Sequence, residues 1–273
     1  MSNILNILSW QFYKLYKLTK PKEEEKFIPS EKDIYLVSYP RSGNTWMRVM
    51  LAELMYGESG KSLADLGYYM PDSKKPQLLK ETIESDFHII KTHDVYMESR
   101  KSASFKKVIY LIRDPRDVVI SWYVQLKTLY YKESLNQFIL DWVCGRIYPS
   151  SWVDHINSWT GAGFENKNIN IFIVRYEDLL LNTIDNLRDV ADFLNLEYKE
   201  DNLHLAVKKA SVKNMKEKYY GGFWEEDADL DELNFIGKAT NNQWQDALEQ
   251  DEIDIIQKYS EKEMKRYGYL KNL

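Results

Sequence analysis

The chain has 273 residues, 44% of them hydrophobic, enough for one sizeable core or two modest ones. Its formal charge of −5 argues against a general affinity for nucleic acid, which needs a basic face to displace counterions. Cys144 is the single cysteine, so an intramolecular disulfide is ruled out and a reducing, cytoplasmic setting is expected; no apolar run reaches the roughly 18 residues of a membrane-spanning helix.

In chain order, Ile4, Leu5, Leu8, Phe12, Leu15 and Tyr16 recur at helical spacing within "MSNILNILSWQFYKLYKLTKPK". They predict an amphipathic helix packed on the domain edge, without the basic start or cleavage site of a secretory signal. A charged, proline-punctuated connection follows, so residues 1–32 are read as an N-terminal helix plus linker and residues 33–273 as one domain. "DIYLVSY" (33–39) predicts a short buried strand, and "NTWMRVMLAELMYG" an amphipathic helix ending near Gly57. "DFHIIKTH" (86–93), "KKVIYLIRD" (106–114) and "NINIFIVRYEDL" (168–179) predict three further strands. Asp114-Pro115 supplies an N-cap and first-turn proline for the helix after the third strand, and helical segments run on from the fourth strand to about residue 218. Continuous apolar strands alternating with helices predict an α/β fold: a single P-loop-like domain whose central parallel sheet is flanked by helices on both faces. Ligands bind at the carboxyl ends of such strands, where loop 39–45, Lys91–His93, Arg113 and Tyr176 would gather.

The loop "YPRSGNTW" (39–46) departs from the ATP-binding pattern G-x-x-x-x-G-K-[ST]. Gly43 and Thr45 match, but Asn44 stands where a lysine would reach the β- and γ-phosphates of a triphosphate. Gly43 still permits close backbone approach, the amides of residues 42–46 favour an anion at a helix N-terminus, and Arg41 supplies positive charge from within the loop. Such a loop suits a nucleotide phosphate without demanding ATP.

The same stretch resembles the 5′-phosphosulfate loop of sulfotransferases that use 3′-phosphoadenosine 5′-phosphosulfate (PAPS). "YLIRDPRDVVISWY" is similar to their 3′-phosphate segment and "KTH" to their catalytic strand end, with "RYEDL" and "ASVKNM" as further landmarks in order. The resemblance spans roughly residues 33–245 and is nearest the cytosolic, small-molecule branch, in a bacterial-type form. It implies a general base at His93 and a cation for the sulfuryl group at Lys91. Arg41 becomes the partner of the leaving phosphate oxygen, by hydrogen bonding rather than full proton transfer. Ser42, Gly43, Asn44 and Thr45 are implied for the 5′-phosphate, Trp46 and Tyr176 for the adenine, and Arg113, Ser121 and Lys238 for the 3′-phosphate. Around Lys238, however, "GKATNNQW" carries Gly237 and Ala239 where the family has Arg and Gly. The implied reaction is sulfuryl transfer from PAPS, without a metal, to a hydroxyl or amine of a small molecule.

Acceptor choice is expected from residues 57–80 and 219–235, the latter holding an acidic run, Glu225–Glu232, that would attract a cationic acceptor. Two rivals stay open: a magnesium-dependent P-loop kinase or NTPase using Asp114, and a nucleotide-binding module without chemistry. Of the other histidines, His88 is expected on the opposite face of the His93 strand, and His155 and His204 fall on helical stretches with no partner motif.

Overall fold

Strand β1 (Ile34–Ser38) is buried along its whole length, as its apolar run requires. The computed structural model describes residues 30–74, 86–96, 105–161, 168–219 and 241–271. The expected N-terminal helix, Lys238 and the acidic run Glu225–Glu232 lie outside these residues. β1 pairs in parallel with β2 (Ile89–Thr92) on one side and β3 (Lys107–Ile112) on the other, and β4 (Asn170–Arg175) extends the sheet beyond β3. The four-stranded order is therefore β2-β1-β3-β4.

Side-chain alternation along β1 separates two cores. Ile34 and Leu36 pack with Met50 of α1 (Asn44–Tyr56), Val190 of α7 (Thr183–Leu194) and Leu203 of α8 (Glu200–Lys209). Tyr35 and Val37 face the other way. They meet Val119 of α3 (Pro115–Leu129), Phe138 of α4 (Leu135–Val143), Trp159 of α5 (Trp152–Thr160) and Ile256 of α11 (Gln250–Arg266). Each fully buried side chain of this kind contributes roughly 1.5–3 kcal/mol. Helices thus cover both faces, as the apolar strands predict. The remaining described helices are α2 (Leu63–Tyr69), α6 (Tyr176–Leu181), α9 (Val212–Tyr219) and α10 (Trp244–Ala247).

From β1 the chain moves outward to β2, then returns across β1 to β3. This reversal makes the carboxyl ends of β1 and β3 the switch point, where an α/β sheet opens a crevice. The loop after β1 and Arg113 after β3 both sit there.

The expected strands are shorter at their ends, β2 at Ile89–Thr92 and β3 at Lys107–Ile112, and the largest difference is at β4. β4 stops at Arg175, and "YEDL" begins α6 instead of extending the strand. Glu177 and Asp178 fall in that helix's first turn, where acidic groups favour the helix dipole.

Candidate active site

Gly43, the N-cap of α1, has φ 93°, a left-handed conformation that glycine adopts without a side-chain clash. A Cβ here would stand 2.8 Å from Cδ2 of Tyr176, so the absent side chain makes room for that ring. Arg41 is left-handed as well, at φ 72°. Its backbone carbonyl accepts from Arg113 Nη1 at 3.0 Å, tying the first loop to the end of β3. The Arg113 guanidinium lies 4.4 Å from the Tyr176 ring centroid, and Trp46 meets the same tyrosine edge-on at 6.1 Å. One aromatic ring therefore touches the glycine turn, the guanidinium and the tryptophan.

The Arg41 side chain spans from the loop to α3. Its Nε donates to Ser121 Oγ at 2.8 Å and its Nη1 to Gln125 Oε1 at 3.2 Å. The serine hydroxyl accepts here and keeps its own proton to donate elsewhere. Burial, then the charge of Arg113, lowers the Arg41 pKa to about 10, opposed by Tyr176. Two cations are thus held together at the switch point, an arrangement that an anion between them would relieve. Asp117 answers only part of that charge: its Oδ2 is 3.7 Å from Arg113 Nη2. Its carboxylate also accepts from the backbone of Asn242 (2.8 Å) and Trp244 (3.1 Å), anchoring the returning chain beside Arg113. Lys238 lies just before that anchored segment, outside the described residues.

Asn44 does not replace the missing lysine in function. Its side chain turns inward, and Nδ2 donates to Ser38 Oγ at 3.2 Å, leaving its backbone amide as its contribution to the loop. Thr45 is half-buried in the first turn of α1. Ser38 in turn holds the catalytic candidate. His93 Nδ1 lies 2.8 Å from the Ser38 carbonyl, which can only accept, so the proton sits on Nδ1 and the Nε2 lone pair is left for a substrate. Burial, followed by the nearby Lys91 charge, pushes the His93 pKa well below the ordinary histidine value. A neutral imidazole with Nε2 unprotonated is a competent general base at neutral pH. Lys91 projects beside it and donates from Nζ to Asp72 Oδ2 at 2.7 Å.

Several supporting residues were missed by sequence reasoning. His155, read as lacking a partner motif, is fully buried: Nδ1 meets the Tyr110 hydroxyl at 2.7 Å and Nε2 the His93 carbonyl at 3.1 Å. It braces the main chain of His93. Its partners come from β3 and from the end of β2, and no local spacing marks them. Gln125, one turn beyond Ser121 on α3, carried a weak signal; the Ser38 carbonyl carried none. His88, by contrast, lies at the far end of its strand, 3.2 Å from Asp33. Asp114, the carboxylate that a kinase would offer to magnesium, is committed to Arg116, with Oδ2 2.6 Å from Nη2 and Oδ1 2.9 Å from Nε.

The family model for the sulfotransferase domain matches residues 31–268. The chain belongs to the sulfotransferase family. It is accordingly a transferase of the class that acts with PAPS on small molecules. Rat sulfotransferase 2A6 (Rattus norvegicus) is 27% identical over 259 residues, covering 88% of this chain and 87% of the relative. The 3-beta-hydroxysteroid sulfotransferase of Cavia porcellus is 25% identical, with 81% and 79% covered. Among solved structures, mouse sulfotransferase SULT7A1 complexed with PAP shares the fold at a TM-score of 0.65 and 20% identity, covering 87% of this chain and 85% of that one. Retinol dehydratase in complex with androsterone and inactive cofactor PAP matches at 0.66 and 20% identity, with 86% and 81% covered. Among the described residues of this sulfotransferase, no helix is long and apolar enough to cross a membrane.

Proposed function

We propose that this sulfotransferase moves a sulfuryl group from PAPS to a hydroxyl of a small alicyclic or aromatic acceptor, with His93 as general base. The observation that carries the reading is the convergence of Arg41, Arg113 and Tyr176 on the glycine turn. These two cations come from different elements, the loop after β1 and the end of β3, and adjoin at the turn, where together they can hold the phosphates of a bisphosphorylated adenosine. Two further features fit that donor. Ser42 Oγ and Trp46 Nε1 are buried polar atoms without a hydrogen-bond partner among the described residues, a costly state that a bound nucleotide would relieve. The left-handed turn at Gly43 lets the Tyr176 ring close against the loop, beside the amides that would hold the phosphate.

In this reading the amides of Ser42, Gly43, Asn44, Thr45 and Trp46 hold the 5′ end, and Arg113, Ser121 and Lys238 hold the 3′-phosphate. Tyr176 and Trp46 flank the adenine. His93 Nε2 takes the acceptor's proton as the acceptor oxygen bonds to sulfur and the bridging S–O bond to the 5′-phosphate breaks. Lys91 stabilises charge on the sulfuryl oxygens, and Arg41 stabilises the departing phosphate oxygen through hydrogen bonds. The commitment of Asp114 to Arg116 favours this over a magnesium-dependent kinase. The relatives' names direct attention to hydroxysteroids as acceptors, and the acidic run Glu225–Glu232 to cationic ones.

The test is transfer of radiolabelled sulfate from PAPS to 3β-hydroxysteroids, phenols, amines and cationic alkaloids. Labelled product should form with at least one alcohol in the presence of EDTA, and ATP should support no phosphoryl transfer to the same panel. Loss of activity on chelation, or turnover of ATP, would sink the proposal.

A further inference from the structure

The segment that follows α2 adds a rung to β2 at the position of Lys91. Lys91 N donates to the Pro71 carbonyl at 2.8 Å, and Ser73 N to the Lys91 carbonyl at 2.9 Å, so Asp72 lies alongside Lys91 as a parallel bridge. The side chains meet as well, Nζ to Oδ2 at 2.7 Å, with only 17% and 23% of their surfaces exposed. Backbone and side chain thus fix the same pair, two residues before His93.

The surroundings of Lys91 otherwise oppose its charge. Burial lowers its pKa most; the guanidinium of Arg48 on α1 and the ammonium of Lys74 beside Asp72 lower it further. His93, at the end of the same strand, interacts with both members of the pair. Asp94, the next carboxylate along, is bound at 3.0 Å to Lys74. Asp72 acts in the opposite sense, through its charge and its hydrogen bond.

We propose that Asp72 is a positioning residue for sulfuryl transfer: it is the fixed counter-ion that holds the Lys91 ammonium beside His93 and keeps it protonated. This rests on the sulfotransferase reading of Lys91 given above. A neutral Lys91 could still accept space in the site but could not offset charge on the moving sulfuryl group, so the pair matters to the chemical step more than to donor binding. Removing an opposite charge at this range shifts a partner's pKa by about 1–3 units. The direction here is downward, because a lysine without its counter-ion gives up its proton at lower pH.

The experiment uses the full chain labelled with ε-carbon-13 lysine, and follows the Lys91 resonance by NMR against pH, assigned by its loss in Lys91→Arg. In Asp72→Asn, which keeps the shape and an acceptor oxygen, Lys91 should titrate at least about one unit lower than in wild type, and Asp72→Glu should restore it. With the panel alcohol that wild type sulfates, kcat of Asp72→Asn should fall as the pH rises from 7 to 9, about tenfold more steeply than wild type. In Lys91→Arg/Asp72→Asn that added alkaline loss should vanish, since a guanidinium does not deprotonate in this range. An unmoved Lys91 titration in folded Asp72→Asn, or an alkaline loss that persists with arginine at 91, overturns the proposal. If wild type transferred no sulfate from PAPS, the function proposed above would fail, yet the lysine titration would still decide whether Asp72 governs the charge of Lys91.

Discussion

Replacing His93 with alanine should lower kcat by roughly 10²–10⁴-fold while leaving the affinity for 3′,5′-bisphosphoadenosine (PAP) nearly unchanged. The imidazole meets the Ser38 carbonyl through Nδ1, whereas Arg41 and Arg113, which the proposed function assigns to the donor phosphates, belong to other elements. Its removal strands one buried carbonyl, so a modest fall in Tm is expected alongside. The pH dependence carries an independent signature. Burial and the Lys91 charge disfavour the imidazolium, so the base form should persist below pH 6.5 and activity should be lost only as the pH falls through the lowered pKa. Rapid single-turnover kinetics and a kcat/KM profile would check both points. A His93→Ala variant with near-normal turnover, or an acid limb above pH 7, would remove the histidine from the chemistry.

Arg113→Ala should show the opposite division, with donor affinity lost first. A guanidinium fork on a phosphate contributes charge-assisted bonds of roughly 1.5–3 kcal/mol each, so PAP affinity should drop by about 10- to 150-fold. The same side chain pins the Arg41 carbonyl and lies over Tyr176, so its loss also loosens the glycine turn. Arg113→Lys keeps the charge near Asp117 but not the fork, and should fall between wild type and alanine. Calorimetric titration with PAP checks the order. Equal losses of donor affinity in Arg113→Ala and His93→Ala would contradict the separation of binding from proton transfer.

Much of this site was legible because its parts are local. The strand-loop-helix run from Ile34 to Tyr56 declares itself through an apolar strand, a glycine that must turn and an amphipathic period that ends at Gly57. The strand ends at Lys91, His93 and Arg113 follow from the same alternation of elements. What stayed hidden depends on partners distant in sequence. Asn44 occupies a phosphate-reaching slot by position, yet its amide faces Ser38 because the inner side of the turn offers a hydroxyl there. His155 finds Tyr110 and the His93 carbonyl only after α5 packs on β3. Asp72 reaches Lys91 only because the chain after α2 runs beside β2. "RYEDL" reads as strand by composition, but its acidic residues suit a helix N-terminus better than a sheet edge.

The central claim, that one crevice recognises both phosphate ends of the donor, is tested most directly by calorimetry of wild type with PAP and with 5′-AMP, which lacks the 3′-phosphate. PAP is expected to bind at least about 100-fold more tightly, the difference carried by Arg113 and Ser121, which the proposed function assigns to the 3′-phosphate. Equal affinities for the two nucleotides would contradict it.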